Sequence, residues 1–297
     1  MSVQALVINS AIALLIAPMF DGVARKVRAV IHSRKGPPIT QPYIDIFKLL
    51  GKEDLRCTTS LIFRYAPAVV LAAFLVAAVL TPMGAAGIGG GDMVTWIYFL
   101  TLGAAAIIAM AAASGNPFAA AGGAREIMML LSVEPIVVAA LITAAVKSES
   151  LRLADMVNWN LASGPTLSMV AAGIAFFLAL QATMGKLPFD IAEAESEIAE
   201  GPLIEITGPN LALMKMALLV RQLVYAFLLV QLFIPWPAIG PWPLALLAAL
   251  VKVLVLFVLA AVIEAVSPRL RIDQSMSYMG RLLFVALAAL ALAAIGV

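Results

Sequence analysis

Six of the chain's 17 carboxylic acids fall within 16 residues: Asp190, Glu193, Glu195, Glu197, Glu200 and Glu205. The run opens Lys186-Leu-Pro-Phe-Asp190 and closes Glu200-Gly201-Pro202. At 100° per residue, Asp190, Glu193, Glu197 and Glu200 would share an arc of about 80° on one helix face, with Glu195 and Glu205 pointing elsewhere. Carboxylates gathered this closely repel one another, so some hold their protons to higher pH and share them with neighbours. That is the chemistry of proton exchange. The same pattern also describes a solvated acidic face that binds basic residues, either of the chain's own 24–64 segment or of a partner. The residues alone leave both open.

A second acid stands apart from the run. Glu134 follows Glu126 by eight residues, on nearly the same helix face and about one turn inside an apolar stretch. A carboxylate at bilayer depth costs roughly 2.5–3.5 kcal/mol on insertion scales, so it is paired, protonated or turned toward water. Arg125 is the nearby base. Pro135 lacks an N–H and frees a carbonyl one turn earlier, which helps a water chain form. The plainer alternative is a helix-end acid reaching back to the interface. Lys215, Arg221, Lys252 and Glu264 are the other charges inside apolar stretches; each serves as well in a packing ion pair as in transport. Arg221, near the middle of its helix, calls for an acid from a neighbouring helix.

These charges sit in a setting that lipid must solvate. Of 297 residues, 63% are apolar and only 12% charged, with a mean hydropathy of +1.05. A soluble domain of this size lacks the polar surface to cover such a composition. The expected fold is therefore an all-α polytopic membrane protein, a single transmembrane domain over 1–297. A spanning helix needs about 20 apolar residues. Eight stretches qualify: 3–22, 65–82, 96–113, 127–146, 167–185, 211–234, 243–266 and 279–297, of which the second and third are short. The first has no basic residue before it and no small-residue cleavage pattern after it, so it reads as a retained helix. Ser267-Pro268-Arg269 breaks the last two stretches apart. Pro235-Trp236-Pro237 with Pro241-Trp242-Pro243 brackets another break with interfacial tryptophans.

Orientation follows from lysine and arginine. If connections alternate sides, fourteen of the 19 basic residues collect on one side, and Lys147 and Arg152 alone on the other. The richer side is cytoplasmic by the positive-inside rule, and both termini face outward. The first cytoplasmic connection, 24–64, is too long for a turn. Tyr43, Ile44, Ile46, Phe47 and Leu50 are expected on one helix face, with Asp45, Lys48 and Lys52 opposite. That describes an interfacial amphipathic helix, or a surface helix beneath a partner subunit. Arg34, Lys35, Asp45, Lys48 and Lys52 make this loop the expected docking surface.

Several classes drop out. One cysteine, Cys57, and one histidine, His32, cannot supply an iron–sulfur cluster, a structural zinc or bis-histidine haem. Any redox centre belongs to a partner. The few basic residues flank apolar spans, so nucleic acid is not a partner, and the lipid bilayer is. No matched pair of broken helices marks an inverted-repeat transporter.

The acidic run, read with three other segments, resembles a known family. Lys186-Leu-Pro-Phe-Asp-Ile-Ala-Glu-Ala-Glu195 looks like the acidic loop of the membrane protein that anchors the peripheral arm of respiratory complex I, the NADH-quinone oxidoreductase. Ser33-Arg-Lys-Gly-Pro-Pro38, Gln41-Pro42 and Phe47-Lys-Leu-Leu-Gly-Lys-Glu-Asp54 resemble its first loop. Arg125-Glu126 with Ser132-Val-Glu134-Pro135 resembles its fourth-helix motif, and Arg269-Leu-Arg-Ile-Asp273-Gln274 the approach to its last helix. Within that superfamily, complex I's Gly-Pro-Asn-Arg-Val-Gly-Pro loop is replaced by Arg34-Lys-Gly-Pro-Pro38. Gly115-Asn-Pro-Phe118, Glu200-Gly-Pro-Leu203 and Phe233-Ile-Pro-Trp236 are closer to the membrane anchor of group 4 nickel–iron hydrogenases of the formate hydrogenlyase and hydrogenase-4 type. The resemblance implies a non-catalytic subunit of a bacterial or archaeal cell inner membrane. It would dock hydrogenase large, small and iron–sulfur subunits on its cytoplasmic face and join antiporter-like membrane subunits. Nickel–iron and iron–sulfur centres would lie in those partners, with no cofactor or metal in this chain. Glu134, Asp190, Glu193, Glu195 and Glu197 would line a polar route coupling redox chemistry to proton or sodium movement. Complex I's quinone site and a passive scaffold are the alternatives it leaves.

Overall fold

The computed structural model describes residues 3–84, 90–237 and 241–296, side chains of 3–6, Glu195 and Ser196 excepted. Among them every regular element is helical: α1 Val3–Ile31, α2 Gln41–Leu50, α3 Leu61–Leu80, α4 Met93–Ala113, α5 Pro117–Ser148, α6 Leu153–Ser163, α7 Leu167–Thr183, α8 Glu195–Ile198, α9 Gly208–Phe233, α10 Trp242–Val266 and α11 Ile272–Ile295. A helix covers each of the eight apolar stretches. Seven are long and apolar enough to cross a bilayer. The short one is α7, at 17 residues; α3 and α4, expected to be short, run 20 and 21 residues. Their ends were hidden by Arg64, near the start of α3, and by the polar approach to α4.

The helices wrap α9, whose Val220, Leu223, Val224, Phe227 and Leu228 are fully enclosed. α3, α1, α7 and α10 pack around it, and α5 lies between α4, α7 and α11. Small residues allow this closeness, as membrane helix packing requires. A Cβ on Gly103 of α4 would meet the Phe74 ring of α3 at 2.3 Å.

Three elements depart from the sequence reading. α5 begins ten residues before the expected 127, because Asn116 caps it by accepting from the Phe118 N–H and Pro117 fits the first turn. Glu134 is consequently near the middle of a 32-residue helix, not one turn inside its end. α6 occupies a segment read as loop, although Leu153, Met156, Val157 and Asn160 carry the buried i, i+3, i+4, i+7 pattern. In α2 the apolar residues do not share a face: Ile46 is buried while Ile44, Phe47 and Leu50 are exposed. Ile44 and Ile46 stand about 200° apart on a helix, so one must turn away.

Candidate functional site

The acidic run is not one helix. After α7 ends, Gly185 takes a positive φ and Pro188 interrupts the chain. Only Glu195–Ile198 is helical, and Ala199 and Glu200 are left-handed before a short turn at Gly201–Leu203. The expected single face of four acids is thereby corrected: proline and glycine divide the run, and each acid finds its own surroundings. Asp190 accepts from Arg269 Nη2 at 2.7 Å. Glu197 is exposed and accepts from Arg125 Nη1 at 2.7 Å. Glu200 is exposed beside a cavity. Glu205 accepts from the Asn116 amide at the start of α5. The Glu195 side chain lies outside the described residues.

Glu193 turns inward. It faces Arg221 of α9, whose Nη1 donates to Glu126 Oε1 of α5 at 3.2 Å. Arg221 therefore has the acid from a neighbouring helix that its depth demands, and its guanidinium also lies 5.9 Å from the Phe74 ring centre. Burial pushes Glu193 up to about 7; Arg221 pulls it down, and the carboxylates of Glu126, Asp190 and Glu200 push it further up. Glu197 moves the other way, held below its usual value by the hydrogen bond from Arg125. Adjacent acids of one loop thus hold protons over different pH ranges. Arg125, expected near Glu134, is committed to Glu197. Glu134 instead accepts from Thr101 Oγ1 of α4 at 2.8 Å.

Three neighbouring cavities are lined by these groups. The widest, roughly 470 Å³, is walled by Asp21, Lys186, Glu200, Lys215 and Glu264. It shares Gly185, Asp190, Glu193 and Arg221 with a second of about 50 Å³ that reaches Glu126 and Glu134. The second shares Leu100, Glu134 and Tyr225 with a third of about 10 Å³ beside Trp96 and Val138. A cavity needs about 10–15 Å³ to admit one water, so the series runs from an open basin, through space for a few waters, to the limit for one. Glu134 lines both of the smaller cavities.

The basin has a second set of ion pairs, which sequence reasoning missed. Asp21 of α1 accepts from Lys186 Nζ at 2.9 Å and Arg25 Nε at 2.7 Å. Glu264 of α10 accepts from Arg28 Nη1 at 2.5 Å. The available signal was Asp21 itself, an acid inside the first apolar stretch and four residues before Arg25. Thr101 and Tyr225 gave none, since a hydroxyl in an apolar helix is ordinary.

The remaining charges have quieter places. Lys252 donates to the carbonyls of Ile234 and Pro235, both at 3.0 Å, closing the end of α9. Asp45 accepts from Gln41 at 2.8 Å and lies 3.6 Å from Arg25, so it braces α2. Arg34, Lys35, Lys48 and Lys52 are exposed. The loop they belong to is tied down at its far end, where Thr207 Oγ1 bonds both the N–H and the carbonyl of Leu55. Among the described residues, no group of three histidine, cysteine or acidic side chains is placed to hold a metal.

A bundle of membrane-crossing helices with a charged basin and a mid-helix carboxylate is a multi-pass membrane protein with a polar interior. More narrowly, the family model described as NADH dehydrogenase matches residues 3–294, and the chain belongs to that family. It is similar to hydrogenase-4 component C of Escherichia coli (strain K12), 37% identical over 270 residues, 86% of this chain and 84% of the relative. Formate hydrogenlyase subunit 4 of the same organism is 34% identical over 286 residues, 92% of each. Among solved structures, a chain of the membrane-bound sulfane sulfur reductase, an archaeal respiratory membrane complex, superposes with a TM-score of 0.88 at 27% identity, covering 98% of both chains.

Proposed function

We propose that this chain is one transmembrane domain that anchors the nickel–iron hydrogenase module of a formate hydrogenlyase- or hydrogenase-4-like complex and couples its redox reaction to proton or sodium translocation. The observation that carries the reading is the row of three neighbouring cavities, sharing lining residues, between the basin and Glu134. The similarity to hydrogenase-4 component C and formate hydrogenlyase subunit 4 supports the choice of complex. In this reading the basic side is cytoplasmic, both termini face outward across a bacterial or archaeal inner membrane, and α2 lies at the interface. Large, small and iron–sulfur subunits dock over the exposed Arg34, Lys35, Lys48 and Lys52, antiporter-like subunits abut the bundle, and the redox centres reside in those partners.

The coupling step belongs to this chain's own groups. Glu193 titrates near neutrality, so a change of charge in the docked module tips its protonation. Arg221 lies between Glu193 and Glu126 and transmits the change by strengthening or releasing its pairing with Glu126. Glu134, hydrogen-bonded by Thr101, is the next acceptor along the route. Replacing Glu134 by Gln in the assembled complex tests this in inverted vesicles. Hydrogen evolution is expected to persist while hydrogen-linked ion movement is lost; wild-type levels of both would end the coupling role.

One observation favours a second reading. The basin's roughly 470 Å³ suits a ring-sized ligand, and Leu203, Leu218 and Leu219 give it an apolar side. A quinone-binding subunit of a complex I-like enzyme would show turnover blocked by quinone-site inhibitors. Insensitivity to those inhibitors, together with neutral behaviour of every Asp190–Glu200 substitution in an intact assembly, would leave a passive scaffold.

A further inference from the structure

One apolar face of the bundle opens between α7 and α10, which both pack on α9. A groove of roughly 340 Å³ lies there, floored by Leu229 and Phe233 of α9 and walled by Val170 and Ile174 of α7 and Leu256 and Leu259 of α10. Gly173 lets α7 come close to α9, where a Cβ would meet Phe233 at 3.0 Å. The rim is accessible: Val170 is 46%, Ile174 52%, Ile234 46% and Leu259 45% exposed. The groove shares no residue with the basin or with the cavities around Glu134.

One end of this groove is charged. Lys252 stands one turn before Leu256 on α10, and its Nζ donates at 3.0 Å to the carbonyl of Ile234, which lines the groove, and to that of Pro235. An ammonium has three N–H groups, so one remains after both carbonyls are met. No carboxylate pairs with it among the described residues. The neighbouring helices are short at this level. α7 has 17 residues, about 25 Å, against about 30 Å of hydrocarbon, and α9 ends at Phe233, beside Lys252. A short span thins the bilayer next to it, and a lysine reaches toward the headgroups along its own apolar stem. A methylene chain is thin enough for the groove. A partner helix is not: one turn, about 10 Å across and 5.4 Å high, fills roughly 400 Å³, more than the whole groove. An isoprenoid tail would cover the walls and give Lys252 no anion.

We propose that this groove holds an acyl chain of a membrane phospholipid whose phosphate is bound by Lys252. The chain lies along Ile174 and Leu259, and a phosphate oxygen accepts the third N–H of the ammonium. The site is independent of the coupling role assigned to Glu134.

The assembled complex, delipidated in a non-ionic detergent, would receive a dilute phosphatidylglycerol probe with a photoreactive diazirine at mid-chain, and the adducts would be mapped by peptide mass spectrometry. Labelling of Ile234 and Leu259 is expected to exceed that of Val285 on α11 about tenfold, although the three are 46%, 45% and 44% exposed. A diacylglycerol probe with the same chains lacks the phosphate and is expected to label the groove about tenfold less. Ile174→Trp, which fills the groove, is expected to lower labelling of Ile234 and Leu259 about tenfold and leave Val285 unchanged. Lys252→Gln is expected to bring the phospholipid down to the diacylglycerol level. Equal labelling of the three residues, equal labelling by the two probes, or indifference to Ile174→Trp would each overturn the proposal. Labelling that appears only after antiporter-like subunits are stripped away would make the groove a helix interface, and displacement by an equimolar isoprenoid quinone would make it a quinone-tail site; either result also overturns it. Should the Lys252→Gln complex fail to assemble, the two-probe comparison on the wild-type complex decides alone.

Discussion

Glu193 and Glu197 are four residues apart and their pKa values shift in opposite directions, because one carboxyl is buried and the other faces Arg125 in the open. The raised value has a consequence for stability. Below about 4.5 Glu193 is protonated whether the chain is folded or not, and the favourable contribution of the neutral form is complete. As pH rises toward about 7, the unfolded chain has lost a proton that the folded chain retains, so the contribution falls, by roughly 3 kcal/mol in all. Glu193→Gln cannot lose that proton. The melting temperature of the wild-type complex is expected to fall more between pH 5 and pH 8 than that of the Gln variant, with the gap opening between about 4.5 and about 7 and holding steady above. Parallel melting curves would refute the assignment. Glu197→Gln is expected to leave the melting temperature nearly unchanged, since an exposed pair with Arg125 contributes little.

At the scale of elements, the segment between α7 and α9 is shaped by backbone geometry. Gly201 has φ +49°, and a Cβ there would lie 2.1 Å from the Ala192 carbonyl oxygen. Gly122 of α5 approaches the same turn, where a Cβ would meet Pro202 Cδ at 2.6 Å. This contact presses the acidic loop onto α5 and brings Glu193 toward Glu126. Gly201→Ala is expected to destabilise the chain by about 2 kcal/mol or more, through strain and the carbonyl contact. Gly280→Ala in α11 makes the contrast: its Cβ meets nothing within 4 Å, and alanine favours a helix by up to about 1 kcal/mol. Thermal denaturation of both variants in detergent checks the ordering, which a lower melting point for Gly280→Ala would reverse.

For the whole molecule the testable property is its orientation. In the proposed orientation, argued from the basic bias, the segment joining α5 to α7 would lie on the side away from the cytoplasm. Ser163, exposed at the end of α6, reports on it. With Cys57→Ser removing the native thiol, a Ser163→Cys chain is expected to react with a membrane-impermeant maleimide added to spheroplasts. Labelling confined to inverted vesicles would invert the topology, and the basin would then open on the other side.

The all-helical class and the eight apolar stretches were legible in composition and in the spacing of charges, because lipid forces a spanning segment to satisfy its own backbone and to be apolar along its length. The family was legible in ordered motifs from Ser33 to Gln274. Helix ends were less so: α5 starts at a cap and proline just before a Gly-containing stretch that reads as loop, and α6 is short enough for its periodicity to pass unnoticed. The acids were visible in type and number, and their surroundings were not. Whether Glu193 and Glu197 share a face depends on turns that Pro188, Gly201 and Pro202 impose. The pairing of Arg221 with Glu126, of Lys186 with Asp21 and of Arg28 with Glu264 joins residues 95, 165 and 236 positions apart. Sequence determined that charges would lie within the membrane bundle, since their energetic cost demands partners; only the packing of helices decided which partners, because that choice is made by distance across the bundle and not along the chain.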